Sequence, residues 1–174
     1  MPEIGAVLRE GKGKKIYATD NPDEAIVFFK DEAMSFHGLK RGRILGKGEV
    51  NNQVCETLFN LLAEHGIESH FIRRIDARHS LIKRCEMFPF SVKIRNVVAG
   101  QLSLRTGLPI GMKLEQPVVE YIMRDTDMEL DPVINHTHIY AMKAATPEDM
   151  KQIDETSLKV NTILKEYLGS INIE

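Results

Sequence analysis

Apolar and polar positions in the first thirty residues alternate in short runs separated by turn-forming residues. Val7–Glu10 and Lys15–Ala18 flank the turn Gly11-Lys-Gly-Lys14, and Ala25–Phe29 follows a second turn at Asp20-Asn-Pro-Asp23. Short β-rich runs bounded by Gly, Asn, Pro and Asp are typical of strands joined by tight turns. The pattern therefore predicts three antiparallel strands at the start of the chain.

From Glu49 the apolar period changes to that of a helix, which we expect to stop at His65-Gly66. Its predicted core face consists of Val50, Val54, Leu58, Phe59, Leu61 and Leu62. Cys55 falls on the same face and is predicted to be a buried, reduced thiol. The preceding residues 31–48 are polar, basic and rich in glycine, which predicts a long irregular segment, either a functional loop or a mobile solvated one.

The rest of the chain alternates strand and helix patterns. Further strands are predicted at Ile67–Arg73, Ser80–Arg84, Ser91–Arg95 and Val118–Met123, with a short basic helix at Leu102–Arg105. Pro89 ends a strand pattern and marks a connector, so we predict two domains, 1–88 and 89–174.

The last helix has the clearest sequence signals. Thr146 is a good N-cap, Pro147 suits the first helical position, and Asp149 occupies the capping-box position. The face predicted to be buried consists of Met150, Ile153, Leu158, Val160, Ile163, Leu164 and Leu168.

Composition narrows the class of protein. Among 174 residues, 43% are hydrophobic and 28% charged, and the formal net charge is −2. A general nucleic-acid binder would be strongly basic, so no nucleic-acid partner is expected. No cationic leader precedes an apolar run, and no apolar stretch approaches 18 residues, so we expect a cytoplasmic protein with no membrane partner.

Two features are candidates for chemistry. The glycines of Gly11-Lys-Gly-Lys14 let the backbone approach a ligand whose phosphate oxygens Lys12 and Lys14 could reach, although a solvated basic turn has the same pattern. Arg95 and Asn96 end a predicted strand just before Gly100, where they could face an anion, while Arg95 could equally form a surface ion pair.

Histidines offer a further possibility. His136 and His138 would share a face if they lay on a strand, but no third metal ligand is within obvious reach, so no metal site is predicted. His37 taken alone is as consistent with a surface histidine as with a functional one.

Taken together, six motifs in order resemble the SAICAR synthetase family, the phosphoribosylaminoimidazole-succinocarboxamide synthases of purine biosynthesis. They are Gly11-Lys-Gly-Lys-Lys-Ile-Tyr17, Phe36-x-Gly38, Gly46-Lys-Gly-x-x-Asn-Asn52, Lys83-x-x-x-Met87-x-Pro89, Arg95-Asn-x-x-Ala-Gly100 and Asp131-Pro-x-Ile-Asn135. The resemblance extends from Gly11 to about Leu168 with almost no gaps.

The resemblance implies an α+β fold with an antiparallel, kinase-like N-terminal lobe that closes over ATP, and a truncated second α+β lobe. It implies an ATP-dependent carboxylate–amine ligase that joins aspartate to a carboxyaminoimidazole ribonucleotide, with Mg²⁺ beside the ATP. An exposed apolar edge should remain where the family has further strands, so we expect a homo-oligomer, or a second chain that completes the site.

By position, the resemblance also assigns site residues. Those placed on ATP are Gly11, Lys12, Gly13, Lys14, Lys83 and Met87. Those placed on the nucleotide substrate and on aspartate are Ser35, His37, Gly38, Lys40, Arg95, Asn96, Gly100, Gln101, Asp131 and Asn135. No residue is assigned a catalytic role.

Several positions depart from the family pattern. A hydroxyl residue is usual at Met34, Asp or Asn at His37, Glu at Ser91, Ser at Gln101 and an acid at His136. The acidic strands that usually follow the last helix are also missing. The alternative function is therefore a non-ligase relative that retains part of the pocket and binds or converts another nucleotide-like molecule.

Overall fold

The computed structural model describes residues 2–35, 40–124 and 132–173, except the side chains of Met34, Ser35 and Lys40. The chain divides into two compact units, Met1–Glu86 and Met87–Glu174. Both units combine antiparallel sheets with helices, which confirms the predicted α+β class. No helix in the described part of the chain has the length and apolarity needed to cross a membrane.

The first unit is built on a five-stranded antiparallel sheet in the order β1-β2-β3-β7-β6. Its strands are β1 (Val7–Glu10), β2 (Lys14–Ala18), β3 (Glu24–Phe29), β6 (Phe71–Arg74) and β7 (His79–Lys83). Strand β3 lies in the middle because Ala25, Val27 and Phe29 form the core together with Ile82. The three predicted N-terminal strands are confirmed, while β6 begins four residues later than expected.

Residues 31–48 contain more regular structure than predicted. β4 (Glu32–Ser35) pairs antiparallel with β5 (Lys40–Arg43), and helix α1 (Lys47–Glu64) begins two residues before Glu49. The prediction of a long irregular segment was therefore wrong. β4 reads Glu-Ala-Met-Ser and β5 reads Lys-Arg-Gly-Arg, so the alternation of apolar and polar residues that usually marks a strand is absent from both.

Helix α1 ends where expected, with His65 as C-cap and Gly66 at a φ of 74°. Its buried face differs from the prediction, since Val50 is 58% exposed and Val54 is 49% exposed. The buried positions are Gly48, Asn52 and Leu62. Cys55 is only half-buried, although it packs against the core of the sheet.

The second unit contains a three-stranded antiparallel sheet in the order β10-β9-β8. Its elements are β8 (Phe90–Val97), α2 (Gln101–Thr106), β9 (Lys113–Met123), β10 (Val133–Ile134), α3 (His136–Ala141) and α4 (Pro147–Ser170). One face of the sheet packs Phe90 and Tyr121 against Ile139 and Met150. The predicted strands and helices of this unit are therefore present, with β8 and β9 longer than expected.

The predicted cap of the last helix is confirmed in detail. Thr146 accepts a hydrogen bond from the Asp149 N–H at 3.1 Å, and the Asp149 carboxylate accepts one from the Thr146 N–H at 2.9 Å. The predicted apolar face is only partly right, because Met150 and Ile163 are buried while Leu158 is exposed.

Candidate functional site

The glycine-containing hairpin between β1 and β2 is the first candidate site. Gly11 donates a backbone hydrogen bond to the Lys14 carbonyl at 2.9 Å, which closes the turn. Neither Gly11 nor Gly13 has a φ in the left-handed region, and a Cβ at either would make only ordinary contacts. The fold of the chain therefore does not itself require glycine here, and the turn leaves its surface open to a ligand.

A buried lysine next to β3 holds this turn in place. Lys30 donates its backbone N–H to the Gly13 carbonyl at 2.9 Å, and its Nζ lies 2.8 Å from Glu10 and 3.4 Å from the Gly11 carbonyl. Glu10 and Glu32 raise the pKa of Lys30, so the lysine stays charged. Sequence patterning did not single out Lys30, because its role depends on contacts across two strands.

A second cation beside the turn, Lys47, was also missed. Its Nζ would lie 3.9 Å from a Cβ at Gly13, and it donates a hydrogen bond to the Glu32 carbonyl at 3.3 Å. Lys14 is on the same hairpin, with its Nζ 4.8 Å from the ring centre of Phe29. The turn is thus bordered by ammonium groups from the hairpin itself and from the first turn of α1.

The start of α1 is fixed by Asp31, whose side chain is only 3% exposed. Its carboxylate accepts hydrogen bonds from Arg78 at 2.6 Å and from the Gly48 N–H at 3.0 Å. Arg78 first, and then the Gly48 N–H, lower the pKa of Asp31 to about 2. The ionised carboxylate therefore ties the end of β3 to the helix that carries Lys47.

The structure describes only some of the other site residues predicted in the first unit. Ser35 and Lys40 are paired across β4 and β5, so the two ends of the predicted closing loop lie side by side. His37 and Gly38 lie outside the described residues. Lys83 ends β7 in the first unit with an exposed side chain.

In the second unit, Met87 precedes β8 and is 62% exposed. β8 continues through Val97, so Arg95 and Asn96 do not end the strand as predicted. As neighbours on a strand they point to opposite faces of the sheet. Asn96 exchanges two amide hydrogen bonds with Asn161 of α4, at 2.8 and 3.1 Å.

Arg95 forms an ion pair, which is one of the two roles that the sequence suggested for it. Its Nε donates to Glu120 at 2.8 Å, and Glu120 is 5% exposed. The other carboxylate oxygen of Glu120 accepts from Arg105 of α2. Sequence analysis missed Arg105 and Glu120, since their pairing follows from the register of β8 with β9 and from the position of α2.

The other predicted substrate residues lie at helix starts. Gly100, at φ 50° and ψ −125°, precedes α2, and Gln101 is the exposed first residue of that helix. Asn135 caps α3, with its side chain accepting from the His138 N–H at 3.2 Å. Asp131 lies outside the described residues.

His136 and His138 are on a helix, which corrects the possibility that they share a strand face. His136 instead approaches the hydroxyl group of Tyr121, with its Nε2 at 2.8 Å from the phenolic oxygen and 3.3 Å from Asp154. Tyr121 donates its hydroxyl hydrogen to Asp154. Burial, and then this hydrogen bond, raise the pKa of Tyr121 well above its usual range.

Comparison with known proteins identifies the family. The sequence matches the SAICAR synthetase family over residues 7–174. A phosphoribosylaminoimidazole-succinocarboxamide synthase from Coprothermobacter proteolyticus is 42% identical over 167 residues, which are 96% of this chain and 70% of that protein. The chain belongs to the SAICAR synthetase family. Its predicted assignment to an ATP-dependent ligase family of purine biosynthesis is thereby confirmed.

Solved structures agree with this assignment. The SAICAR synthetase from Ehrlichia chaffeensis has a TM-score of 0.91 at 34% identity, covering 95% of this chain and 70% of that chain. A type-2 SAICAR synthetase in complex with ADP has a TM-score of 0.87 at 41% identity, and the match covers 93% of this chain and 68% of that chain. The predicted α+β fold of this family is thus confirmed.

Beside a nucleotide, Mg²⁺ is usually held by one or two carboxylates together with phosphate oxygens, and not by a cage of protein ligands. Across the described ranges, 2–35, 40–124 and 132–173, no three His, Cys, Asp or Glu side chains group together as a metal site. Within these ranges the buried carboxylates of Asp31 and Glu120 are already paired with arginines. The described residues therefore contain no preformed protein cage for Mg²⁺.

Proposed function

We propose that this chain binds ATP at the glycine-containing hairpin and ligates aspartate to a carboxyaminoimidazole ribonucleotide. The observation that carries the proposal is the open turn at Gly11 and Gly13, bordered by Lys14, Lys30 and Lys47. A backbone that can be approached closely, with ammonium groups beside it, suits the oxygens of a polyphosphate. A relative of the same fold has been solved with ADP, which supports a nucleotide as the ligand.

The proposed reaction proceeds in two steps. The ribonucleotide carboxylate attacks the γ-phosphorus of ATP, giving an acyl phosphate and ADP. The amine of aspartate then attacks the acyl carbon, which forms the amide and expels inorganic phosphate with loss of a proton from nitrogen. Lys12, Lys14 and Lys47 would bind the phosphate groups whose charge shifts in the first step. No step is assigned to Mg²⁺.

The roles of the substrate-binding residues are proposed from their positions in the family motifs. Arg95 would hold anionic groups of the ribonucleotide, with Asn96, Gly100 and Gln101 beside it. The segment from Ser35 to Lys40, including His37 and Gly38, would close on the reacting carboxylate. Asp131 and Asn135 would shape the aspartate end, and Lys83 and Met87 the adenine end. We further propose that the protein works in the cytoplasm as an oligomer, or with a completing chain.

Thermal shift with nucleotides tests the ATP site. A ligand that binds only the folded state stabilises by RT ln(1 + [L]/Kd), so ATP at about 100 times its Kd adds about 2.7 kcal/mol. We expect millimolar ATP, with and without Mg²⁺, to raise the melting temperature of the wild type. The rise should shrink in Lys14→Met and Lys47→Met, and persist in Lys159→Met on the exposed face of α4.

A direct assay separates the ligase from its alternative. With ATP, aspartate and the carboxyaminoimidazole ribonucleotide, the ligase proposal predicts ADP, phosphate and an amide product by mass spectrometry. ATP binding without amide formation would favour a non-ligase relative, and no shift at millimolar ATP would exclude the proposed ATP site in this chain.

A further inference from the structure

Two arginines share one buried carboxylate on the second face of the three-stranded sheet. Val92 lies opposite Tyr121 on the core face, so the next pair, Lys93 and Glu120, points to the other face. Arg95 is two residues beyond Lys93 and therefore points to the same face as Glu120. Cations thus surround the buried carboxylate.

The charges around Glu120 do not cancel. Arg95 binds one carboxylate oxygen through Nε, and Arg105 binds the other through Nη2. One negative charge therefore faces two guanidinium groups, with the Lys93 ammonium on the adjacent strand. A group of this kind attracts an additional anion.

Both guanidinium groups retain unused donors. A guanidinium carries five N–H groups, of which Arg95 directs one, and Arg105 one, at Glu120. Within residues 2–35, 40–124 and 132–173 the Nη groups of Arg95 and the Nε and Nη1 of Arg105 have no hydrogen-bond acceptor. Arg105 is 38% exposed, so solvent or a ligand can reach it.

We propose that Arg105 is a second anion-binding residue beside Arg95, that Glu120 is the positioning residue for both, and that the ligand group is a phosphate monoester. Two guanidinium groups on one carboxylate lie side by side, and their remaining N–H groups match phosphate oxygens in forked geometry. Because Glu120 already orders both side chains, less rotamer freedom is lost when the phosphate binds. The inference rests on the proposed function, which places the ribonucleotide at Arg95.

Isothermal titration of the full chain tests the proposal with two probes, carboxyaminoimidazole ribonucleotide and its dephosphorylated nucleoside. The dissociation constant of the nucleoside divided by that of the ribonucleotide measures the contribution of the phosphate to binding. Arg105→Met should reduce this ratio about 10-fold to 100-fold, as expected for loss of a hydrogen bond between charged groups. Lys159→Met, which removes a cation from α4, should leave the ratio unchanged.

Two conservative variants keep the test independent of folding. Arg105→Lys retains a cation opposite Glu120, so it should melt close to the wild type, yet reduce the ratio about tenfold because an ammonium cannot bind in the forked geometry. Glu120→Gln should reduce the ratio while the nucleoside binds as before. An unchanged or larger ratio in Glu120→Gln would overturn the positioning role.

The outcomes separate this inference from the proposed function. If the wild type does not prefer the ribonucleotide to the nucleoside, the proposed placement of the substrate at Arg95 is wrong. A second outcome is that the wild type and Arg105→Met both prefer the ribonucleotide while Arg95→Met does not. In that case the proposed function stands and the role of Arg105 is overturned.

Discussion

Asp31 shows how one residue connects the fold to the candidate site. Its buried carboxylate joins the end of β3 to Arg78 and to the first turn of α1. Because the folded state lowers its pKa to about 2 from 3.8, the stabilisation it gives is complete above pH 4 and is lost as the pH falls toward 2. Asp31 is therefore expected to contribute to acid unfolding.

Replacing Asp31 by Asn removes this charge and gives the first prediction. Asp31→Asn should lower the midpoint of urea unfolding at pH 7, and its difference from the wild type should narrow between pH 4 and pH 2. The comparison isolates Asp31 from other carboxylates, since they titrate in both proteins. A difference that stayed constant down to pH 2 would contradict this account.

Tyr121 gives a prediction at the opposite end of the pH scale. Its pKa is raised in the folded state, so the unfolded chain loses this proton first and stability should fall above pH 10. Tyr121→Phe removes the hydroxyl bonded to Asp154 and should cost about 1 kcal/mol at pH 7. The variant should lose less stability than the wild type between pH 10 and pH 11, as followed by urea unfolding; an equal loss would assign the alkaline transition to other groups.

At the residue scale, the sequence identified those site residues that belong to local motifs. The glycine-containing turn and Arg95 could be found in this way, because each is marked by its immediate neighbours in the chain. Arg105 and Glu120 could not, since their significance comes from contacts between elements. Lys47 lies in the Gly46-Lys-Gly motif, but its position beside the turn also depends on such contacts and it was assigned no role. A buried ion pair leaves no periodic signal in the sequence.

At the level of elements, the start of α1 depends on a glycine. A Cβ at Gly48 would lie 2.3 Å from the Phe29 carbonyl oxygen, which is backbone and cannot rotate away. Gly48→Ala should therefore destabilise the protein by about 2 kcal/mol or more, despite the better helix propensity of Ala. Gly169→Ala in α4, where nothing lies within 4 Å, is the matched control and should be neutral or slightly stabilising. Equal melting temperatures for both variants would disprove the close packing at Gly48.

The cap of α4 supplies a prediction with a local cause. Thr146→Ala removes the acceptor of the Asp149 N–H and should cost about 1 kcal/mol in urea unfolding. Thr146→Ser keeps the hydroxyl and should behave like the wild type. If both substitutions had the same effect, the threonine methyl group and not the hydroxyl would be responsible.

Element boundaries were predictable to different degrees. Caps and turns are set by residues close in sequence, and the C-terminal end of α1 and the start of α4 were predicted correctly. The buried faces were predicted only in part, because periodicity alone does not say which neighbour packs on which side. In α1 the polar Asn52 is completely buried, whereas the apolar Val50 and Val54 are exposed.

For the whole molecule, exposed apolar side chains bear on the predicted self-association. The connection before α1 exposes Ile44 and Leu45, and the helix itself exposes Val50 and Val54. We expect concentration-dependent sedimentation at micromolar protein, weakened by Val54→Glu because a charge there must be desolvated in an interface. Gln53→Glu adds the same charge at the neighbouring position and should have a smaller effect. A monomer at all concentrations would contradict the prediction.

The burial of Asn52 has a consequence for synthesis of the chain. Its amide nitrogen has three carbonyls within hydrogen-bond distance of its two N–H groups, those of Asp76, Ala77 and His79 at 3.0 to 3.3 Å, and its oxygen accepts from Ser80. All four partners leave the ribosome at least 24 residues after Asn52 itself. A nascent chain that has exposed α1 but not residues 76–80 therefore carries an Asn52 amide with none of its native hydrogen-bond partners, and α1 acquires this anchor only when that segment emerges.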